Sequence, residues 1–169
     1  KSIAEIAPEF TMNRMLRDYI DRFYHPLYER TLKIRKDDFS MASHIASWKH
    51  RILNIWKEIE VIEINYPDAN MQNISTGESY TTRVVLDLKN LKPEELKLEF
   101  VVGDQDPETG NVRMVDVQSY SLEKTEGSKA WYVLNTVPGN PGIFDYGIRI
   151  YPHSELISRP QEFGLIRWI

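Results

Sequence analysis

The side chains in this sequence that could do chemistry are four histidines, one acidic loop and a generous set of aromatics. A metal site needs several ligands converging on one ion, and two histidines on one helix face bind best four residues apart. His44 and His50 are six apart, His25 precedes a proline and His153 follows one. All four are therefore expected as solvated or capping residues. Gly103 to Asn111 (GDQDPETGN) is the most acidic loop. A calcium loop wants several carboxylate oxygens around one ion. Here Pro107 and Gly110 are misplaced, Val115 holds the twelfth position, and strand-like segments flank the loop. A polar hairpin loop is the expectation. With no cysteine, thiolate zinc sites, disulfides and cysteine nucleophiles are excluded. No serine sits in a nucleophile elbow. The pairs Glu94-Glu95 and Asp37-Asp38 are sequence neighbours that read as solvated turn residues. No catalytic, cofactor-binding or metal-binding residue is assigned.

Tyr66, Tyr80, Tyr120, Trp131, Tyr132, Tyr146, Tyr151 and Trp168 fall in the later part of the chain. Exposed aromatics stack on sugar rings, whereas buried ones fill cores. Trp131, Tyr146 and Trp168 are expected mainly as core, and Tyr146 as a candidate tyrosine corner.

The elements that must position these residues change character near residue 60. Residues 1–60 hold 11 basic and 9 acidic residues, the remainder 10 and 16, and no glycine precedes Gly77. The total of 169 residues with a net charge of -4 suits one domain, or one domain plus an appendage, and argues against a nucleic-acid binder, which would carry a basic face. No apolar run is long enough to span a bilayer, and no signal pattern is present. The opening at Lys1 without methionine suggests a piece of a longer protein.

Thr11 is a candidate N-cap. Met12, Met15, Leu16, Tyr19, Ile20, Phe23 and Leu27 then recur at helical spacing. Pro26 predicts a kink or break, with helix resuming through Ile34. A second helix is expected from Asp37-Asp38, with Ile45, Trp48, Ile52, Ile55, Trp56 and Ile59 as its stripe. The two would pair as a hairpin. The seven-residue stripe of the first helix is wide enough to be an interface, the alternative being that it packs onto the local β-domain. From Val61 the period becomes two. Seven strands are expected, at 61–64, 82–88, 96–102, 112–122, 131–137, 143–151 and 165–169, with a helical turn at Pro93. The fold class is α+β: an N-terminal helical hairpin (1–60) followed by an antiparallel immunoglobulin-like β-sandwich (61–169).

Ser2 to Tyr24 (SIAEIAPEFTMNRMLRDYIDRFY) resembles the closing segment of the glycogen/α-glucan phosphorylases. Val85 to Leu96 (VLDLKNLKPEEL), Gly142 to His153 (GIFDYGIRIYPH) and Phe163 to Trp168 (FGLIRW) are similar to the bacterial and archaeal branch that carries an extra C-terminal β-domain. The resemblance implies a cytoplasmic parent glycosyltransferase that cleaves α-1,4-glucan with phosphate to glucose 1-phosphate, using pyridoxal phosphate. It implies that this piece is non-catalytic. The family's cofactor lysine lies upstream in a Gly/Ser/Asn-rich segment, and Lys1, Lys33, Lys36 and Lys49 lack that context. The implied partner is the remainder of the parent enzyme. Glucan binding by the β-domain and self-association through the first helix are further expectations, as is a protein-interaction role.

Overall fold

The computed structural model describes residues 11–65, 77, 79–106, 109–137 and 144–169. Residues 1–10, the opening of the phosphorylase-like segment, lie outside these. So does the polar loop expected from Tyr66, apart from Gly77. The chain divides into two compact units, Lys1–Trp48 and Lys49–Ile169.

In the first unit, α1 (Met12–Tyr19) starts as expected, with the Thr11 side chain accepting from the Arg14 backbone N–H at 3.3 Å. A π-helical turn, Ile20–Tyr24, follows, in which the His25 N–H reaches back to the Ile20 carbonyl. Pro26 has no N–H to give, and its ring would crowd the carbonyl four residues back. The wider π turn lies immediately before it, so the helix is disturbed and continues where a kink or break was expected. Helical residues then run from His25 to Ile55 (α2), interrupted between Lys36 and Phe39. Asp37, Asp38 and Phe39 have φ of 50°, 53° and 59°. Asp37 and Asp38 therefore lie inside the interruption rather than starting a helix. Aspartate tolerates this left-handed region; Phe39 occupies it at a penalty of about 1–2 kcal/mol.

The second unit begins with the last turns of α2. Ile52 near the end of α2, Trp56 in the 3-10 turn Trp56–Glu58 that follows, and Ile59 just beyond it in extended backbone are buried. Among the described residues eight strands follow: β1 (Glu60–Asn65), β2 (Tyr80–Asp87), β3 (Leu96–Gln105), β4 (Val112–Ser119), β5 (Ser121–Glu126), β6 (Lys129–Thr136), β7 (Asp145–Pro152) and β8 (Arg167–Trp168). They form two antiparallel sheets, ordered β1-β2-β6-β5 and β4-β3-β7-β8. In the first sheet Thr82, Val84 and Leu86 stand opposite Leu134, Tyr132 and Ala130, and all six are buried. In the second, Leu96 and Leu98 stand opposite Pro152 and Ile150 and are buried. The architecture is α+β, a helical segment followed by two four-stranded antiparallel sheets.

The single strand expected over Val112–Leu122 is two strands in different sheets: β4 pairs with β3, and β5 with β6. The change happens at Tyr120. Its N–H bonds the Leu98 carbonyl of the second sheet at 3.0 Å, and its buried hydroxyl accepts from Thr82 of the first at 2.9 Å. No glycine or proline falls between Val112 and Leu122, so the residue types alone do not mark the crossing. Pro93–Glu95 is the expected single turn, a 3-10 helix whose Glu95 carboxylate accepts from the Lys92 N–H at 3.1 Å.

Three polar contacts tie the helix end and the chain's close to this unit. Lys49 donates to the Glu162 carbonyl at 2.7 Å and lies 5.5 Å from the Phe163 ring centroid. Arg51 forms a two-point ion pair with Glu95. Arg167 donates to the Ile59 carbonyl at 2.8 Å.

Candidate functional site

The loop Gly103 to Asn111 joins β3 to β4 as a hairpin, as expected. The Asp106 N–H bonds the Asn111 carbonyl at 2.9 Å, and its carboxylate accepts from the Thr109 N–H at 3.0 Å. These bonds fold the loop on itself. Among the described residues no three His, Asp or Glu side chains lie together as a metal group. His25, His44 and His50 are exposed. His153 is half-buried, and burial followed by the nearby Lys97 lowers its pKa. A hollow of about 200 Å³ lies beside Leu88, Leu91, Pro93 and Leu122. That is below the ~300 Å³ at which small-molecule pockets begin.

A lysine that carries pyridoxal phosphate must be desolvated to lose its proton near neutral pH. Lys33 and Lys36 are exposed, and Lys49 is held by the Glu162 carbonyl. The described lysines of the first helices do not fit that cofactor, and no step through it is derived for this chain.

The aromatics expected in the core are distributed otherwise. Trp131 is half-buried beneath Lys124, whose ammonium lies 4.5 Å from the ring centroid. Tyr146 is 56% and Trp168 57% exposed. Tyr146 stacks on Phe100 with centroids 5.6 Å apart, at the end of its sheet. Trp168 pairs with Arg149, which pairs with Glu99. Opposed residues share a sheet face. Glu99, Arg149 and Trp168 therefore form one row on the face opposite to Leu98 and Ile150. This face is mostly buried at Glu99 and Arg149 but opens to solvent at Trp168, so Trp168 is not core.

This row is the most organised polar and aromatic cluster among the described residues. Arg149 donates to Glu99 at 2.7 Å from Nε, and its second amino nitrogen lies 2.6 Å from the same carboxylate oxygen. The Tyr151 hydroxyl donates to the other Glu99 oxygen at 2.6 Å. Burial, then this hydrogen bond, raises the Tyr151 pKa, so the phenol stays a donor. The Arg149 guanidinium lies 6.0 Å from the Trp168 ring centroid, at the limit of a cation–π contact. One edge of the ring lies beside Gly147, where an added Cβ would come within 3.2 Å of two ring carbons. A glycine in that row lets the indole lie against the backbone. The sequence places GIRIY and RW far apart, and nothing in either run signals that they form one surface. The register of a two-residue strand is a tertiary fact.

Within this arrangement the Glu99 carboxylate is fully engaged, by Arg149 on one oxygen and Tyr151 on the other.

Comparison with known proteins agrees with a non-catalytic reading of these residues. Maltodextrin phosphorylase of Thermococcus litoralis is 28% identical over 183 residues, covering 99% of this chain and 19% of that protein. Glycogen phosphorylases of Mycobacterium bovis and Mycobacterium tuberculosis are each 23% identical over 170 residues, covering 98% of this chain and 19% of theirs. The chain thus spans about a fifth of the length of these relatives. Residues 56–169, more than half of the chain, match the sequence model of a family that takes in all eight strands, both sheets and the Trp168 row. The chain belongs to the family described as the glycogen phosphorylase C-terminal domain.

Proposed function

We propose that this chain is the non-catalytic C-terminal part of an α-glucan phosphorylase. Its parent would cleave α-1,4-glucan with inorganic phosphate to glucose 1-phosphate, with pyridoxal phosphate held by residues outside this chain, in the cytoplasm. The observation that carries the reading is the pairing of near-complete coverage here with 19% coverage of phosphorylases. In this reading residues 1–60 are the end of the nucleotide-fold domain and its linking helix, and 61–169 an appended immunoglobulin-like sandwich.

The helices supply a docking face. Met15, Leu16, Tyr19, Ile20 and Phe23 are each 47–50% exposed. Covering such a stripe is worth roughly 25 cal/mol per Å², and the remainder of the parent enzyme is its proposed cover.

The test is phosphorolysis of maltoheptaose by the full-length protein and by this chain alone. Activity in the first and none in the second is expected; activity in neither overturns the reading. Light scattering tests the docking face. The chain alone is expected to self-associate, and Phe23→Asp to give monomers with the sheets intact by circular dichroism. A monomeric unsubstituted chain would count against it.

A further inference from the structure

We propose that the solvent face of the second sheet around Trp168 is a stacking subsite for an α-glucan chain. This deepens the phosphorylase reading and rests on it for the choice of sugar.

Trp168 is 57% exposed while one edge of its ring lies beside Gly147. One edge of the indole is thus braced against the backbone at Gly147 while more than half of the residue stays open to solvent, which restricts the ring before any ligand arrives. A pyranose presents an apolar face of C–H bonds and a rim of hydroxyls. The C–H face meets the negative face of an indole favourably. The hydroxyl rim needs donors and acceptors held beside the ring. Arg149 stands directly opposite Trp168 and is itself fixed by Glu99. Arginine carries five N–H donors, more than the contacts to Glu99 occupy.

Charge selects against other occupants. Arg149 and Glu99 neutralise each other at 2.6 Å, with side chains only 21% and 14% exposed. The row therefore offers no net charge to an anionic or cationic partner. A neutral polyol is the chemistry that uses a flat ring with hydrogen-bonding groups and no field. The exposed Met114 and Val117 of β4 lie on the same face, opposite Gly103 and Val101. They extend the apolar surface past one sugar unit.

The experiment is a titration of the ¹⁵N-labelled chain with maltoheptaose, following the indole N–H signals of its four tryptophans. Trp168→Phe assigns the signal. A saturable shift of the Trp168 signal at millimolar sugar is expected. Trp168→Ala should weaken binding by about tenfold, and Gly147→Ala, which shifts the indole edge by a few tenths of an ångström, by less. Arg149→Lys should weaken it with the fold unchanged. A silent Trp168 signal, a shift confined to Trp131, or unchanged affinity in Trp168→Ala overturns the proposal. So does protection of Trp168 in the full-length protein without sugar, which would make the face a protein contact. Phosphorolysis by the full-length protein is measured alongside. Activity with a silent Trp168 removes the subsite alone, and a responsive Trp168 without activity removes the phosphorylase reading alone.

Discussion

α1 and β2 are each eight residues long and rich in large apolar side chains, yet none of α1 is buried and five residues of β2 are. Both obey their periodicity. The difference lies in what stands opposite. Thr82, Val84 and Leu86 face Leu134, Tyr132 and Ala130 across one ladder, and the register makes the row continuous. Leu16, Tyr19 and Ile20 remain about half exposed in the described chain. An amphipathic pattern specifies a face to be covered, but carries no address for the cover.

The largest effect that would sharpen this contrast is a core truncation. Ile150→Ala removes a fully buried side chain and should lower unfolding stability by about 3 kcal/mol. Leu16→Ala should change it by less than about 0.5 kcal/mol. Urea unfolding of both variants checks this; equal losses would mean that the helical stripe is as well supported as the sheets.

Next comes the row that carries Trp168. Glu99→Ala leaves Arg149 and Tyr151 without their shared acceptor in a mostly buried setting. A loss of about 2 kcal/mol is expected in the same unfolding experiment. Glu99→Gln, which keeps an acceptor, should recover part of it. No loss in Glu99→Ala would mean that the row is held by the strands alone.

The smallest effect is a dependence on pH. Bonds from the Lys89 side chain, then from its backbone N–H, hold the Asp87 carboxyl at about 2, down from 3.8. The folded pKa is depressed, so this contribution is full above about pH 4. It fades as pH falls from there through about 2. Acid titration of stability should show this slope in the unsubstituted chain and less of it in Asp87→Asn. An unchanged slope would place the acid sensitivity elsewhere.

Much of this was legible from the residues. The Thr11 cap, the turn at Pro93, the hairpin at Gly103–Asn111 and most strands depend on side chains within a few positions of each other. Local chemistry of that kind is readable from spacing. The π turn before Pro26 was half legible: the proline predicts a disturbance, but whether the helix breaks or widens depends on the turn preceding it. Asp37-Asp38 suggested a helix start by charge, whereas the backbone places both residues in a left-handed interruption.

What escaped the sequence has one physical cause. Strand alternation has a period of two on either sheet and either face, so it cannot say that Tyr120 passes from one sheet to the other. Nor can it say that Trp168 stands on the solvent side. The sequence by itself determined the order of helix and strand, the absence of cysteine chemistry and the family resemblance, because each depends on residue type and local spacing. Only the tertiary structure decided which aromatics are core and which form a surface. Register between strands separated by many residues brings Glu99, Arg149, Gly147 and Trp168 together, and that register is set by packing of the whole sheet.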